Sequence, residues 1–150
     1  MIDYCQAEDE VAKNPEAQDW CKIVAAGNVD AYNFAWRLWC FNHMFDDLVD
    51  QDKQPTKEQI FYELVEFVKE ISFNPFYNTH KESIFPLLVS LANRTLDGDE
   101  MEKSESEWDR QVACVVRCGD LDVFLHIAYL AGGWDHMRKL KNLRTYDKGE

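Results

Sequence analysis

The chain has 150 residues, of which 46% are hydrophobic and 13% aromatic, and a net charge of −12. That length and apolar content predict one packed domain and exclude intrinsic disorder. The acidity disfavours direct nucleic-acid binding or an anionic membrane surface, since both repel negative charge, and it leaves basic partners and cations open.

Asn14-Pro15-Glu16 reads as a helix start, with Asn as the cap and Pro in the first turn. This helix should run to about Ala26 and stop at Gly27. Asn28 can cap the next helix, Val29 to about Asp50, the longest and most apolar segment. Gln51 to Pro55 reads as a polar loop. Thr56 and Gln59 form a capping box for a third helix, whose residues Ile60, Phe61, Leu64, Val65, Val68 and Ile71 make one apolar stripe. Asn74-Pro75 should end it. A fourth helix is expected from about Ser83 to Leu96, with Pro86 tolerated in its first turn. Asp97 to Glu107 reads as the main surface loop, since six of its eleven residues are acidic. Ser104 and Glu107 suggest a capping box for a fifth helix. Gly119-Asp120 should break it, a sixth should run from Leu121 to about Ala131, and Gly132-Gly133 should turn the chain. A short basic helix from Trp134 to about Leu143 completes the pattern. Short loops and the lack of period-two alternation predict an all-α fold, a compact single-domain bundle of about five to seven helices around the 29–50 helix.

The first ten residues lack an apolar stretch and predict no signal peptide, and no apolar run reaches the ~18 residues of a membrane span. Five cysteines, an odd number without a CxxC pair, fit reduced thiols in a cytoplasm.

The 29–50 helix has two unusual faces. Phe34, Leu38, Phe41, Phe45 and Leu48 share one face as an ordinary core stripe. Tyr32, Trp36, Trp39, His43, Asp46 and Asp50 share the other. A helix apolar nearly all round is usually covered all round, so this second face should meet other helices, a partner or a ligand. His43 and the tryptophans would then line a pocket or an interface. Asp46, Asp47 and Asp50 spell DDxxD and stand close together at the end of the helix. Carboxylates so placed suit Mg²⁺, which takes oxygen ligands and bridges to phosphates. A solvated or salt-bridged helix end is the alternative reading.

DDxxD on an aromatic-rich helix resembles the aspartate-rich motif of class I isoprenoid (terpenoid) synthases, which are all-α and bind a substrate diphosphate through Mg²⁺. The resemblance implies metal roles for Asp46, Asp47 and Asp50. It spans about five residues, and the family's second metal motif is absent, Asn93 with Asp97 being the nearest fragment. The all-α NTP pyrophosphohydrolases offer a weaker analogy. By that analogy Asp47 and Asp50 would face Glu63 and Glu66 on the next helix.

Arg138, Lys139, Lys141 and Arg144 would suit phosphate contact, or would simply balance the acidic surface. Asp122 and His126, four apart, could orient one another. No Gly-rich phosphate loop and no zinc-type Cys/His spacing occurs.

Two functional readings follow. In one, a carboxylate-lined Mg²⁺ site handles a small phosphorylated ligand. In the other, the chain is a non-catalytic adaptor or inhibitor, of the type found in phage and mobile elements. It would use the aromatic face of the 29–50 helix to hold a protein partner or a second copy as a homodimer.

Overall fold

The computed structural model describes residues 15–51 and 54–140. The cap assigned to Asn14 and the side chains of Cys5, Lys141 and Arg144 lie outside the described residues. Six helices and no strand occur among those described: α1 (Pro15–Ala25), α2 (Val29–Asp50), α3 (Lys57–Phe73), α4 (Pro75–Glu102), α5 (Glu107–Arg117) and α6 (Gly119–Lys139). None is long and apolar enough to cross a membrane. The sequence reads as one domain, but the contacts divide it into two compact units, Met1–Thr79 and His80–Glu150, with the boundary inside α4.

In the first unit α2 is central and packs against both α1 and α3. Local chemistry sets its limits. The Asn28 side chain accepts from the Ala31 amide at 3.0 Å, and Gln51 ends the helix in the left-handed region at φ 58°. The Thr56–Gln59 capping box closes reciprocally, at 3.2 and 2.8 Å. The α1–α2 core holds Cys21, Val24, Ala25, Ala31, Phe34, Ala35 and Leu38, all at 2% exposure or less. Phe34 also stacks on Tyr77, with ring centroids 5.0 Å apart. Further along the expected core stripe the cover thins, and Phe45 is 45% exposed.

Asn74 joins three helices. Its amide donates to the Asp30 carbonyl at 2.9 Å and to the Glu70 carboxylate at 2.7 Å. Its side-chain oxygen accepts from the Tyr77 amide at 3.0 Å. This side-chain cap, followed by Pro75, starts α4 at once, eight residues before the expected position at Ser83. Pro86 therefore stands in the helix interior, at an exposed position where solvent can cover the lost hydrogen bond.

In the second unit α4 also runs further than expected. Asp97–Glu102 is helical, not loop, because its acids find partners. Asn93 donates to Asp97 at 2.8 Å, Lys103 pairs with Asp99 at 2.8 Å, and Arg117 of α5 reaches Glu102 at 2.8 Å. Gly98 permits this approach, since a β-carbon there would lie 2.0 Å from Cγ of Arg117. The α5 cap is Ser106, which accepts from the Asp109 amide, whereas Ser104 donates to the Asp109 carboxylate. Arg94 secures the next junction. It donates to the Val115 and Val116 carbonyls at 2.9 Å each, satisfying the end of α5, and pairs with Asp122 in the first turn of α6. Gly133, at φ 84°, kinks α6 where the Gly132-Gly133 pair predicted a turn.

Two predictions follow from the first unit. Asn74→Asp keeps the acceptor for Tyr77 but loses both donors and sets a second carboxylate against Glu70. It should cost about 2–3 kcal/mol in urea unfolding; a loss below about 0.5 kcal/mol would mean the junction is held by other contacts. Burial also pushes the thiols of Cys21 and Cys40 from 9.0 up to about 12. Between those values the native state keeps protons that the unfolded chain has shed. Stability should therefore fall as pH rises above about 9, by roughly 1.4 kcal/mol per pH unit for each thiol. Urea titrations at pH 8, 9.5 and 10.5 should show this slope, and a Cys21→Ala/Cys40→Ala variant should flatten it. An equal slope in that variant would assign the alkaline loss to other groups.

Candidate functional site

The expected site residues stand at three places. On α2, Trp36, Trp39 and His43 form a ladder along the helix surface. Trp36 and Trp39 stack with centroids 5.3 Å apart and an interplanar angle of 8°. Trp39 and His43 follow at 3.7 Å, and Nδ1 of His43 donates to the Trp39 carbonyl at 2.9 Å. Tyr32, Trp36 and Trp39 are half-buried and His43 is exposed. Burial raises the Tyr32 pKa above its ordinary value, with smaller contributions from Cys21, Cys40 and Asp19.

Asp46 and Asp47 are half-buried on the last turns of α2, and Asp50 is exposed. Among the described residues no three His, Cys, Asp or Glu side chains form a group suited to a metal ion. In the second unit, Arg138 and Lys139 are exposed near the end of α6. The Arg138 guanidinium lies 6.0 Å from the Trp134 ring centroid, a cation–π contact at an exposed site. Lys141 lies outside the described residues. Asp122 and His126 do not orient one another, because Asp122 pairs with Arg94 while His126 Nε2 meets the Ser83 hydroxyl at 2.9 Å. Burial, and then His80, lower the His126 pKa.

The α2–α3 contact is set by charge. The apolar stripe of α3 does not face α2. Phe61 is 65% exposed, Leu64 43%, Val65 60% and Val68 46%. The helix instead turns its acidic face inward. Glu63 is 9% exposed, and its carboxylate lies 3.5 Å from the Arg37 guanidinium of α2. Glu66 lies 3.8 Å from the same guanidinium and 3.1 Å from Lys69. Tyr62 sits under Arg37, 5.6 Å from ring centroid to guanidinium carbon, and Phe41 stacks on Phe67 at 4.4 Å. Burial alone would lower the Arg37 pKa; Glu63, with Cys40, Tyr62 and Glu66, outweighs it and the pKa is raised. Glu63 and Glu66 thus serve Arg37, where the pyrophosphohydrolase analogy sets them against Asp47 and Asp50.

Arg37 was the missed residue, and it carried a signal. It is the only Lys or Arg in α2, flanked by Trp36 and Leu38 in the segment's most apolar stretch. A cation so placed needs an acid from a neighbouring helix, and α3 offers acids on the face opposite its apolar stripe.

The solvent face of α3 therefore carries Lys57, Glu58, Phe61, Leu64, Val65, Val68, Lys69 and Ser72, all exposed. A second exposed stripe, Phe85, Val89 and Leu96, lies on α4 at helical spacing. Comparison with known proteins found no matching family model, no similar curated protein and no similar solved structure.

The ion pair can be tested directly. Arg37→Met strands a buried carboxylate and should cost about 3–5 kcal/mol at pH 7, with part of the loss recovered as acid protonates Glu63. Arg37→Met/Glu63→Met should recover most of the stability by replacing the pair with apolar packing. Additive losses in this double-mutant cycle, measured by urea unfolding, would show that the two groups are not coupled.

Proposed function

We propose that this protein is a non-catalytic helical binding module that docks a protein partner on the solvent face of α3. The observation that carries the reading is the orientation of that helix. Four large apolar side chains, Phe61, Leu64, Val65 and Val68, form a continuous exposed band, while the acidic face is turned inward and ion-paired. Single exposed apolar residues are commonplace, but contiguous apolar patches on a helix face mark interaction sites. The band is made of Phe, Leu and Val side chains, with no nucleophile or acid–base pair at its centre, so its chemistry is that of contact. The mixed Lys57, Glu58 and Lys69 fringe supplies the polar rim of such an interface. The reading is of a cytoplasmic protein, and the free thiols of Cys21, Cys40, Cys114 and Cys118 support it.

The test is whether the band serves the chain's own fold. Phe61→Gln/Val65→Gln replaces the two most exposed members of the band with good helix formers. Its unfolding free energy should stay within about 1 kcal/mol of the parent, and its binding of a hydrophobic fluorescent dye should drop. A loss of several kcal/mol would mean that the chain itself packs this face, and the docking reading would fail.

A further inference from the structure

Resting on the docking reading of α3, we infer that the partner on this face is a second copy of the chain, with the two α3 helices packed antiparallel. Three observations point there. First, the face is apolar along its middle, and its charged residues are two lysines, Lys57 and Lys69, against one acid, Glu58. On a chain of net charge −12, this is a surface where two copies can approach without acid facing acid.

Second, the charges are arranged for a two-fold axis. At about 100° per residue, Glu58 and Lys69 fall on the same flank of the apolar band, within about 20° of each other and about three turns apart. A two-fold axis crossing between Glu63 and Leu64 reverses the second helix and keeps each flank on its own side. It therefore sets each Glu58 opposite the Lys69 of the other copy, twice by symmetry. Lys69 already holds Glu66 at 3.1 Å, and its ammonium has further donors for a second acid. A parallel pairing would instead carry Glu58 and Lys69 of the two copies to opposite sides of the seam, so that neither charge faces its complement.

Third, the same axis brings the apolar residues to within about 3 Å of register along the helices. Phe61 and Val68, near the two ends of the band, approach one another across the pair, and Leu64 and Val65 meet at the centre. The spacing 61, 64, 68 with the half-buried Ile71 is that of a short coiled-coil seam. A face of one helix is small for an interface, so the dimer belongs to the weak class.

Sedimentation equilibrium under reducing conditions, from micromolar to millimolar protein, tests this. The parent should show a reversible monomer–dimer equilibrium, and Phe61→Gln/Val65→Gln should remain monomeric. Glu58→Lys alone and Lys69→Glu alone should each weaken the dimer about tenfold, since each turns two attractions into repulsions. Glu58→Lys/Lys69→Glu should restore it to within about twofold. A parent that is monomeric to about 1 mM overturns the inference, as does a dimer that ignores the charge reversals or is not rescued by the swap. If the parent is monomeric while Phe61→Gln/Val65→Gln keeps full stability, the second copy is the wrong occupant but the docking reading stands. If that variant is destabilised, both fall.

Discussion

The half-buried pairing of Arg37 with Glu63 and Glu66 decides which way α3 faces, and the character of the first unit follows from that decision. Arg37 sits midway along α2, with its side chain only 18% exposed. A guanidinium there must meet an acid, because an uncompensated buried charge costs several kcal/mol. The acids on α3 lie opposite its apolar stripe. Bringing them to Arg37 turns Phe61, Leu64, Val65 and Val68 outward. The ion pair and the exposed band are two sides of one rotation of the helix.

Much of the fold was readable because it rests on local chemistry. The Asn28 cap, the Thr56–Gln59 capping box and the 29–50 limits of α2 are each set by residues within a turn of one another. The errors arose where a distant residue overrode a local preference. Asp97–Glu102 looks like loop by composition, and it is helical because Lys103 and Arg117 neutralise its acids. Ser83 looks like a helix start, and Asn74 pre-empts it by capping α4 while bonded to α2 and α3. The direction that α3 faces is likewise set from a distance. Apolar periodicity identifies a stripe but does not say that the stripe is buried, and a buried cation on another helix can reverse the answer.

The candidate site was legible to a smaller degree. The aromatic side of α2 holds a real feature, the stacked Trp36–Trp39–His43 ladder. The acids of the DDxxD stretch are carried on the last turns of α2, and the described residues gather no three-acid group around them. The surface that bears the functional reading is legible in the sequence as the α3 stripe, but periodicity alone does not say whether that stripe is buried or exposed. Its exposure depends on Arg37, which drew no notice because one charge among aromatics leaves no periodic pattern.

A magnitude argues that the outward face of α3 is not accidental. Fully burying a Phe, Leu or Val side chain is worth about 1.5–3 kcal/mol. With the four residues of the band roughly half exposed, the monomer forgoes something on the order of 4 kcal/mol. That is close to what breaking the Arg37 pair would cost, so turning the stripe inward gains little while Arg37 remains. Replacing Arg37, Glu63 and Glu66 with apolar residues would remove the conflict and allow α3 to bury its stripe against α2. The sequence instead keeps a buried ion pair of modest intrinsic value, which holds an apolar face toward solvent. Such an arrangement is stabilised when something covers the face, because association then recovers the forgone burial without disturbing the pair. The recoverable energy is modest and must also offset the entropy of association, which makes the contact weak and reversible.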